Sequence, residues 1–313
     1  MSRHRIHLAP GRVERVDRLL AASLPEFTRR RLQGLIAAGL VRIDGRHARK
    51  GDVLRGERWI EVELLASVQV ELPPEPEPAV DVLFEDAACI VLDKPPGRPG
   101  HALRSGERGT VANFIVARYP ECVAAGDTPL EAGLVHRLDT DTSGALLAAR
   151  NRPAWQVLRR QFRSRTVGKT YVAVVRGALR PGGEISRWIE PDPRNHRKVR
   201  VAPGDDASRR ARPAITRYSP LSWTRAATLL EIEISTGVMH QIRAHLASIA
   251  HPVLGDTRYG GDSGEAGRHL LHARRIEFDH PENGERIEVE SPLPQDFAAA
   301  LRRLGLRTEL AKH

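Results

Sequence analysis

The sequence predicts an α+β fold in which a small N-terminal α/β unit precedes a larger unit built on a mainly antiparallel mixed sheet. Strand-like segments outnumber helical ones and do not alternate regularly with them, which disfavours a doubly wound parallel sheet. The chain has 313 residues, enough for two folded units. A proline-rich stretch at Leu72–Ala79 interrupts both kinds of pattern. The predicted divisions are therefore residues 13–71, a linker at 72–79, and residues 80–300.

The charge of the chain indicates a polyanionic partner. Lys and Arg number 49 against 39 Asp and Glu, a net charge of +10. Nucleic acid is the commonest partner of such a surface, and a basic surface without a specific partner is the alternative.

The sequence also indicates whether the protein uses a metal or a cofactor and where in the cell we expect it. Cys89 and Cys122 do not have the spacing of a zinc site, and no glycine-rich nucleotide motif occurs, so we predict no metal and no cofactor. The sequence has no run of about 18 apolar residues and no apolar signal region near Met1. We expect a cytoplasmic protein that does not associate with membranes, and a monomer.

In the N-terminal unit the pattern begins with two helices. Apolar residues at helical spacing predict a first helix over Val13–Leu24. A second helix has Thr28 as its expected N-cap and Gly39 as its end. Its first turn carries Arg29, Arg30 and Arg31, although the helix dipole disfavours cations there. An external anion would explain this cluster, and three solvated arginines are the alternative. Two short strands follow, VRIDG and WIEVEL.

This N-terminal pattern resembles the S4 RNA-binding domain over about residues 13–66. The stretches that carry the resemblance are RVDRLL, TRRRLQGLIAAGLVRIDG and GERWIEV. The resemblance implies RNA affinity without catalysis, through phosphate contacts. The residues that match the family's RNA-facing helix and loop are Arg29, Arg30, Arg31, Arg49 and Lys50.

The stretch at Leu72–Ala79 contains four prolines with three glutamates in or beside it. Proline cannot donate ladder hydrogen bonds and favours an extended chain, so the stretch predicts a semi-rigid linker. An irregular loop inside one domain is the alternative.

The larger unit shows strand patterns separated by two helices. The helices are predicted over Pro153–Arg163 and His240–Ile249 from apolar residues at helical spacing. Alternation and β-branched content predict strands at DVLFED, ACIVLDK, Tyr171–Val175, Ala227–Ser235 and Arg286–Glu290.

The stretch LVHRLDTDTSG, Leu134–Gly144, places two carboxylates in a basic chain. Residues 132–139 predict a strand with Arg137 and Asp139 on one side, and the residues after it have turn chemistry. Asp139 is either a turn and cap residue or a nucleophile held ionised by a cation from elsewhere in the chain.

An ordered set of motifs resembles the RluA-type pseudouridine synthases over roughly residues 81–295. These motifs are VLDKPPG, GLVHRLDTDTSGALLAAR, GKTYVAVVRG, DPRNHRKVRV, STGVMHQIRAHLASIAHPVLGDTRYGG, LLHARRIEF and ESPLP. An S4 domain ahead of such a core resembles the branch that acts on large-subunit ribosomal RNA. Transfer RNA as the substrate, or a non-catalytic RNA-binding or ribosome assembly factor, are the alternatives.

The resemblance implies an isomerase that breaks the glycosidic bond of a flipped-out uridine and rejoins the base through carbon. The family's aspartate matches Asp139, its basic partner matches Arg243 and its tyrosine matches Tyr171. Residues matching the family's substrate contacts are His136, Arg137 and Ile242. The chain departs from the family at Val238-Met239, where an Arg-Thr pair is usual.

Overall fold

The chain forms two compact units, Met1–Val70 and Glu71–His313. The computed structural model describes residues 2–24, 27, 29–64, 71–195, 197–202, 210–261 and 267–307. In this described part of the chain, none of the helices combines the length and the apolar character that a membrane crossing requires.

The N-terminal unit packs two short helices against small antiparallel sheets. Its four-stranded sheet has the order β1-β6-β3-β4, and β2 pairs with β5. Apolar residues from both helices and from the sheet form its core. The elements are β1 (Ser2–Leu8), β2 (Val13–Arg15), α1 (Val16–Ser23), α2 (Arg29–Ala37), β3 (Val41–Ile43), β4 (Arg46–His47), β5 (Val53–Arg55) and β6 (Arg58–Leu64).

Two details of the predicted N-terminal pattern can be compared with the structure. The first helix starts at Val16 and not at Val13, because residues 13–15 pair with β5. Gly39 follows α2 with φ +72°, a left-handed conformation that suits glycine at a helix end. The predicted cap Thr28 and the side chains of Arg29–Arg31 lie outside the described residues.

The larger unit is built on one sheet of ten strands. The order is β12-β11-β13-β14-β10-β15-β9-β8-β7, with β16 beside β15. Of the described strand pairs in this sheet, β15 with β9 is parallel and the others are antiparallel. The predicted α+β class with a mainly antiparallel mixed sheet is confirmed. The strands are β7 (Val82–Glu85), β8 (Cys89–Lys94), β9 (Ser143–Ala149), β10 (Gly168–Arg176), β11 (Gly183–Pro191), β12 (Val199–Val201), β13 (Arg212–Trp223), β14 (Ala227–Ile234), β15 (Leu271–Asp279) and β16 (Arg286–Glu290).

Helices cover both faces of this sheet, as the alternation along β10 shows. Tyr171 and Ala173 belong to one core cluster with residues of two helices, whereas Val172 belongs to another. Since successive side chains of a strand point to opposite faces, Tyr171 lies on the face covered by α5. The helices of this unit are α3 (Val111–Arg118), α4 (Arg152–Ser164), α5 (Gln241–Ser248) and α6 (Gln295–Arg303).

The stretch predicted to be a linker is packed against the larger unit. Leu72 is buried in its core. The Glu75 carboxylate accepts from the amide of Gly109 at 2.6 Å and from Arg108 at 3.0 Å. Asn113 donates to the carbonyl of Pro73 at 2.7 Å. The prolines keep the chain extended, and these contacts hold it as an ordered part of the fold.

These contacts predict where the larger unit can be cut. A fragment that begins at Glu71 should unfold cooperatively in urea. One that begins at Ala79 loses a buried leucine and several hydrogen bonds, and should be less stable by about 3 kcal/mol or more. The Glu71 fragment with Leu72→Ala serves as a control that isolates the leucine. Equal unfolding free energies for the two fragments would show that residues 71–78 contribute nothing.

Candidate active site

The segment before Asp139 leaves the sheet earlier than predicted. Leu134 forms a bridge with Ala148, and the amide of Val135 donates to Leu147 O at 3.2 Å. The amide of Leu147 then donates to Nε2 of His136 at 2.9 Å. The imidazole of His136 thus accepts the hydrogen bond that a backbone carbonyl would accept if the strand continued. The predicted strand over residues 132–139 is therefore wrong, and residues 137–139 are free to turn towards a cavity.

A tight turn follows and joins this segment to β9. The amide of Thr142 donates to the carbonyl of Asp139 at 3.1 Å. Gly144 has φ +116°, and a Cβ there would lie 2.2 Å from Ala273 O on the neighbouring strand. Only glycine allows the two backbones to come this close. The turn chemistry predicted from the sequence is confirmed.

Buried basic side chains donate hydrogen bonds to the carbonyl groups of this turn. Lys94, at the end of β8, has no exposed surface and donates to Thr140 O at 2.7 Å. Arg268 donates to Asp141 O at 3.0 Å. His269 Nε2 and the hydroxyl of Thr142 are 2.8 Å apart and hydrogen-bonded. The main chain around Asp139 is therefore fixed, which orients its carboxylate.

The carboxylate of Asp139 meets Arg243 from α5. Arg243 Nη1 donates to Asp139 Oδ2 at 2.7 Å. The two-point contact of this guanidinium is made with Asp256 instead, from Nε at 2.6 Å and Nη2 at 2.8 Å. The ring of Tyr259 lies 5.2 Å from the guanidinium carbon. One arginine is thus oriented by Asp256 and presents its remaining nitrogen to Asp139.

Asp139 is held ionised in a largely buried position. Burial by itself would raise its pKa, but the charges of His240 and Arg243 and the hydrogen bond from Arg243 lower the pKa below the usual range. His240 Nε2 lies 3.7 Å from Asp139 Oδ1, and burial lowers the pKa of that imidazole. His240 therefore carries its charge only in acid, where Asp139 itself would take up a proton, and Arg243 is the charged partner of Asp139 at pH 7.

A cavity of about 400 Å³ opens above this pair. The volume falls in the range of small-molecule pockets, roughly 300–1,000 Å³. All six residues predicted as catalytic or substrate-binding line it: His136, Arg137, Asp139, Tyr171, Ile242 and Arg243.

The predicted cavity residues differ in their environment. Burial and the charge of Asp139 raise the pKa of Tyr171, so its hydroxyl stays protonated at neutral pH. Ile242 is 4% exposed and supplies an apolar wall. The ring of His136 stacks on Phe162 at 4.9 Å between ring centroids, whereas Arg137 is exposed.

Of the residues predicted to contact RNA in the N-terminal unit, Arg49 and Lys50 are exposed on a loop.

Residues that the sequence reasoning did not assign complete the site. Lys94 and Asp256 stand inside the quoted motifs VLDKPPG and LGDTRYGG, but no local pattern revealed their contacts. The unusual pair Val238-Met239 lines the cavity. Elsewhere among the described residues, Asp86, Cys89 and His280 place potential metal ligands within 4.8 Å of one another. Asp86 already accepts from His280 at 2.6 Å, and burial raises the pKa of the Cys89 thiol to about 12, which disfavours the thiolate that binds metals.

Two family models match the chain. The model described as RNA pseudouridylate synthase matches residues 88–248, and the S4 domain model matches residues 14–60. The first range contains all six cavity residues named above. The second covers most of the N-terminal unit.

Relatives are similar over nearly the whole length. "Ribosomal large subunit pseudouridine synthase D" of Xanthomonas campestris is 38% identical over 97% of this chain and 93% of the relative. The protein of the same name from Haemophilus ducreyi is 33% identical over 96% of this chain and 93% of the relative. The solved structure of human RNA pseudouridylate synthase domain containing 4 covers 72% of this chain and 94% of its own, with TM-score 0.59 and 26% identity.

The burial of Lys94 predicts a pH-dependent stability. Burial lowers its pKa to about 7, against about 10.4 in an unfolded chain. Between these values the unfolded state binds the extra proton, so raising the pH favours the folded state. The unfolding free energy of the wild type, relative to Lys94→Met, should increase from pH 7 to pH 9 by up to about 1.4 kcal/mol per pH unit. Urea unfolding at pH 7, 8 and 9 measures this, and parallel curves would refute the shift.

Proposed function

The chain belongs to the RNA pseudouridylate synthase family, and we propose that its substrate is uridine in large-subunit ribosomal RNA. It is an RNA pseudouridine synthase, an isomerase. The ribosomal substrate is supported by relatives named for the ribosomal large subunit that match over more than nine-tenths of the chain. It is also supported by the S4 domain ahead of the catalytic unit.

The observation that carries the catalytic assignment is the ionised carboxylate of Asp139, 2.7 Å from Arg243 at the wall of the cavity. Attack on the sugar, attack on the base, and assistance to a glycal intermediate all require an ionised carboxylate in a site that excludes water. Arg243 provides the charge that keeps it so, and Asp256 prevents Arg243 from reorienting. The carboxylate meets an uncharged nucleoside, so it does not repel the substrate.

The other cavity residues take supporting roles in this proposal. Tyr171 offers a ring to the flipped base and a protonated hydroxyl for hydrogen bonding. Ile242 packs against the base, and exposed Arg137 contacts the RNA at the cavity mouth. His136 orients the loop through its hydrogen bond with Leu147 and forms part of the wall.

We propose that the N-terminal unit contributes RNA affinity. Arg49 and Lys50 are exposed and are assigned to phosphate contacts together with Arg29, Arg30 and Arg31. Each such contact should add roughly 0.7–0.9 to the slope of log affinity against log salt. Its division from the larger unit after Val70 supports a separate role in binding.

Complementation tests the reaction and the substrate together. Pseudouridine is mapped in total RNA from a strain that lacks this protein and carries the wild type, Asp139→Asn or Asp141→Asn. Asp139→Asn should restore no modification, because the amide keeps the shape but loses the charge. Asp141→Asn, which removes a carboxylate two residues further along, should restore it. If Asp139→Asn restores the modification, this residue has no part in the mechanism. If the deletion strain lacks pseudouridine in transfer RNA alone, the substrate is transfer RNA and not ribosomal RNA.

Arg243→Lys should lower the single-turnover rate by at least an order of magnitude. Lysine keeps the charge, but one ammonium cannot reproduce the two-point contact with Asp256 and also donate to Asp139. The expected loss corresponds to about 1.4 kcal/mol or more of transition-state stabilisation. Tritium release from RNA labelled at uridine C5 measures the rate, with RNA affinity as the control. A rate within about two-fold of the wild type would show that charge alone suffices.

A further inference from the structure

The cavity carries more positive charge than its known tasks require. Five of its lining residues are Arg or Lys, whereas Asp139 is the single acid among them. Arg243 is already engaged by two carboxylates. The base and the ribose of a uridine are neutral, so the remaining cations have no partner in the nucleoside itself. These cations are Arg137, Arg159, Arg163 and Lys169.

Among these cations, Lys169 has the environment that most clearly indicates a missing anion. It precedes Tyr171 by two residues on β10 and therefore shares its face of the sheet. Its Nζ donates to Thr236 O at 3.2 Å. Burial and the neighbouring charge of Arg165 lower its pKa to about 8, and among the described residues no carboxylate offsets this shift. A half-buried lysine without an acidic partner is costly unless an anion joins it.

Helix α4 brings two further cations to the same end of the cavity. Arg159 donates to Val135 O at 2.7 Å, and its guanidinium lies 5.6 Å from the ring centre of Trp155. Its Nε is buried and has no hydrogen-bond partner among the described residues. Arg163, one turn later, is exposed at the rim. Lys169, Arg159 and Arg163 line the cavity together with His136.

We propose that Lys169, with Arg159 and Arg163, forms a subsite for a phosphodiester that flanks the uridine whose base enters the cavity. This inference rests on the proposed function and specifies how the RNA is held there. The phosphates are the only anions of an RNA strand, and those beside an everted nucleotide pass the rim of the cavity. A compact ammonium and an adjacent guanidinium suit a phosphate oxygen.

The test pairs enzyme variants with RNA that lacks one charge. A short RNA carries the target uridine with its 5′ or its 3′ phosphodiester replaced by a neutral methylphosphonate. Dissociation constants are measured for the wild type, Lys169→Gln, Lys169→Arg and Arg160→Gln. Arg160 is exposed on the same helix and does not line the cavity, so its variant is the matched control.

One methylphosphonate position should interact with Lys169. Lys169→Gln should weaken binding of the unmodified RNA about ten-fold, the effect of losing one charge-assisted contact. The methylphosphonate at one position should weaken wild-type binding by a similar factor, and the two changes together should cost no more than either alone. Lys169→Gln should also lower the salt slope by about 0.7. Lys169→Arg should recover most of the affinity. Arg160→Gln should leave unchanged the loss of affinity that the methylphosphonate causes.

Several results would overturn the subsite. If the effects of Lys169→Gln and of the methylphosphonate multiply at both the 5′ and the 3′ position, the ammonium does not face a flanking phosphate. Wild-type affinity for Lys169→Gln would show the same. An unfolding midpoint matching the wild type excludes misfolding, and an Arg variant that binds no better than the Gln variant would argue against a charge contact. Failure of the proposed function is distinguished by the wild type itself, which would then form no pseudouridine in the unmodified RNA.

Discussion

The buried guanidinium of Arg243 joins three separate segments of the chain, one of which lies 104 residues away. It arises from α5, donates to Asp139 in the turn before β9, and holds Asp256 by two hydrogen bonds. Two carboxylates in a desolvated region would otherwise repel each other and favour protonation. The same contact that balances these charges also orients the carboxylate, so the electrostatics and the geometry of the site depend on one side chain.

Two basic side chains stabilise the turn around Asp139 by donating hydrogen bonds to its backbone carbonyls. Lys94 and Arg268 come from opposite ends of the catalytic unit and donate to carbonyls of residues 140 and 141. Arg268 is in turn held by Asp296 at the start of α6. These two basic side chains therefore stabilise the main chain of the turn through its carbonyl groups. His240 and Arg243 both lower the pKa of Asp139, and Arg243 is the one that remains charged at neutral pH.

In the proposed function, the basic residues of the chain and the carboxylate of Asp139 serve different parts of one RNA substrate. The cavity is lined by five Arg or Lys residues and by one carboxylate, that of Asp139. Under this proposal, the cations would attract the phosphates while the carboxylate meets only the neutral base, so that attraction to the polyanion is not opposed at the reacting atoms. Lys169 donates to the backbone carbonyl of Thr236, whereas Arg243 donates to the carboxylate of Asp139.

Local sequence determined several of the elements, because helical spacing and strand alternation act over few residues, but it did not predict α3 or α6. The pattern of Trp155, Leu158 and Phe162 predicted α4 to within one residue at each end, and the ordered motifs identified the residues that meet at the cavity. Only the tertiary structure decided that Asp256 holds Arg243, that His136 ends the strand, and that Leu72 joins the core. Each of these depends on a partner from another segment, and periodicity along the chain carries no information about pairs that folding brings together.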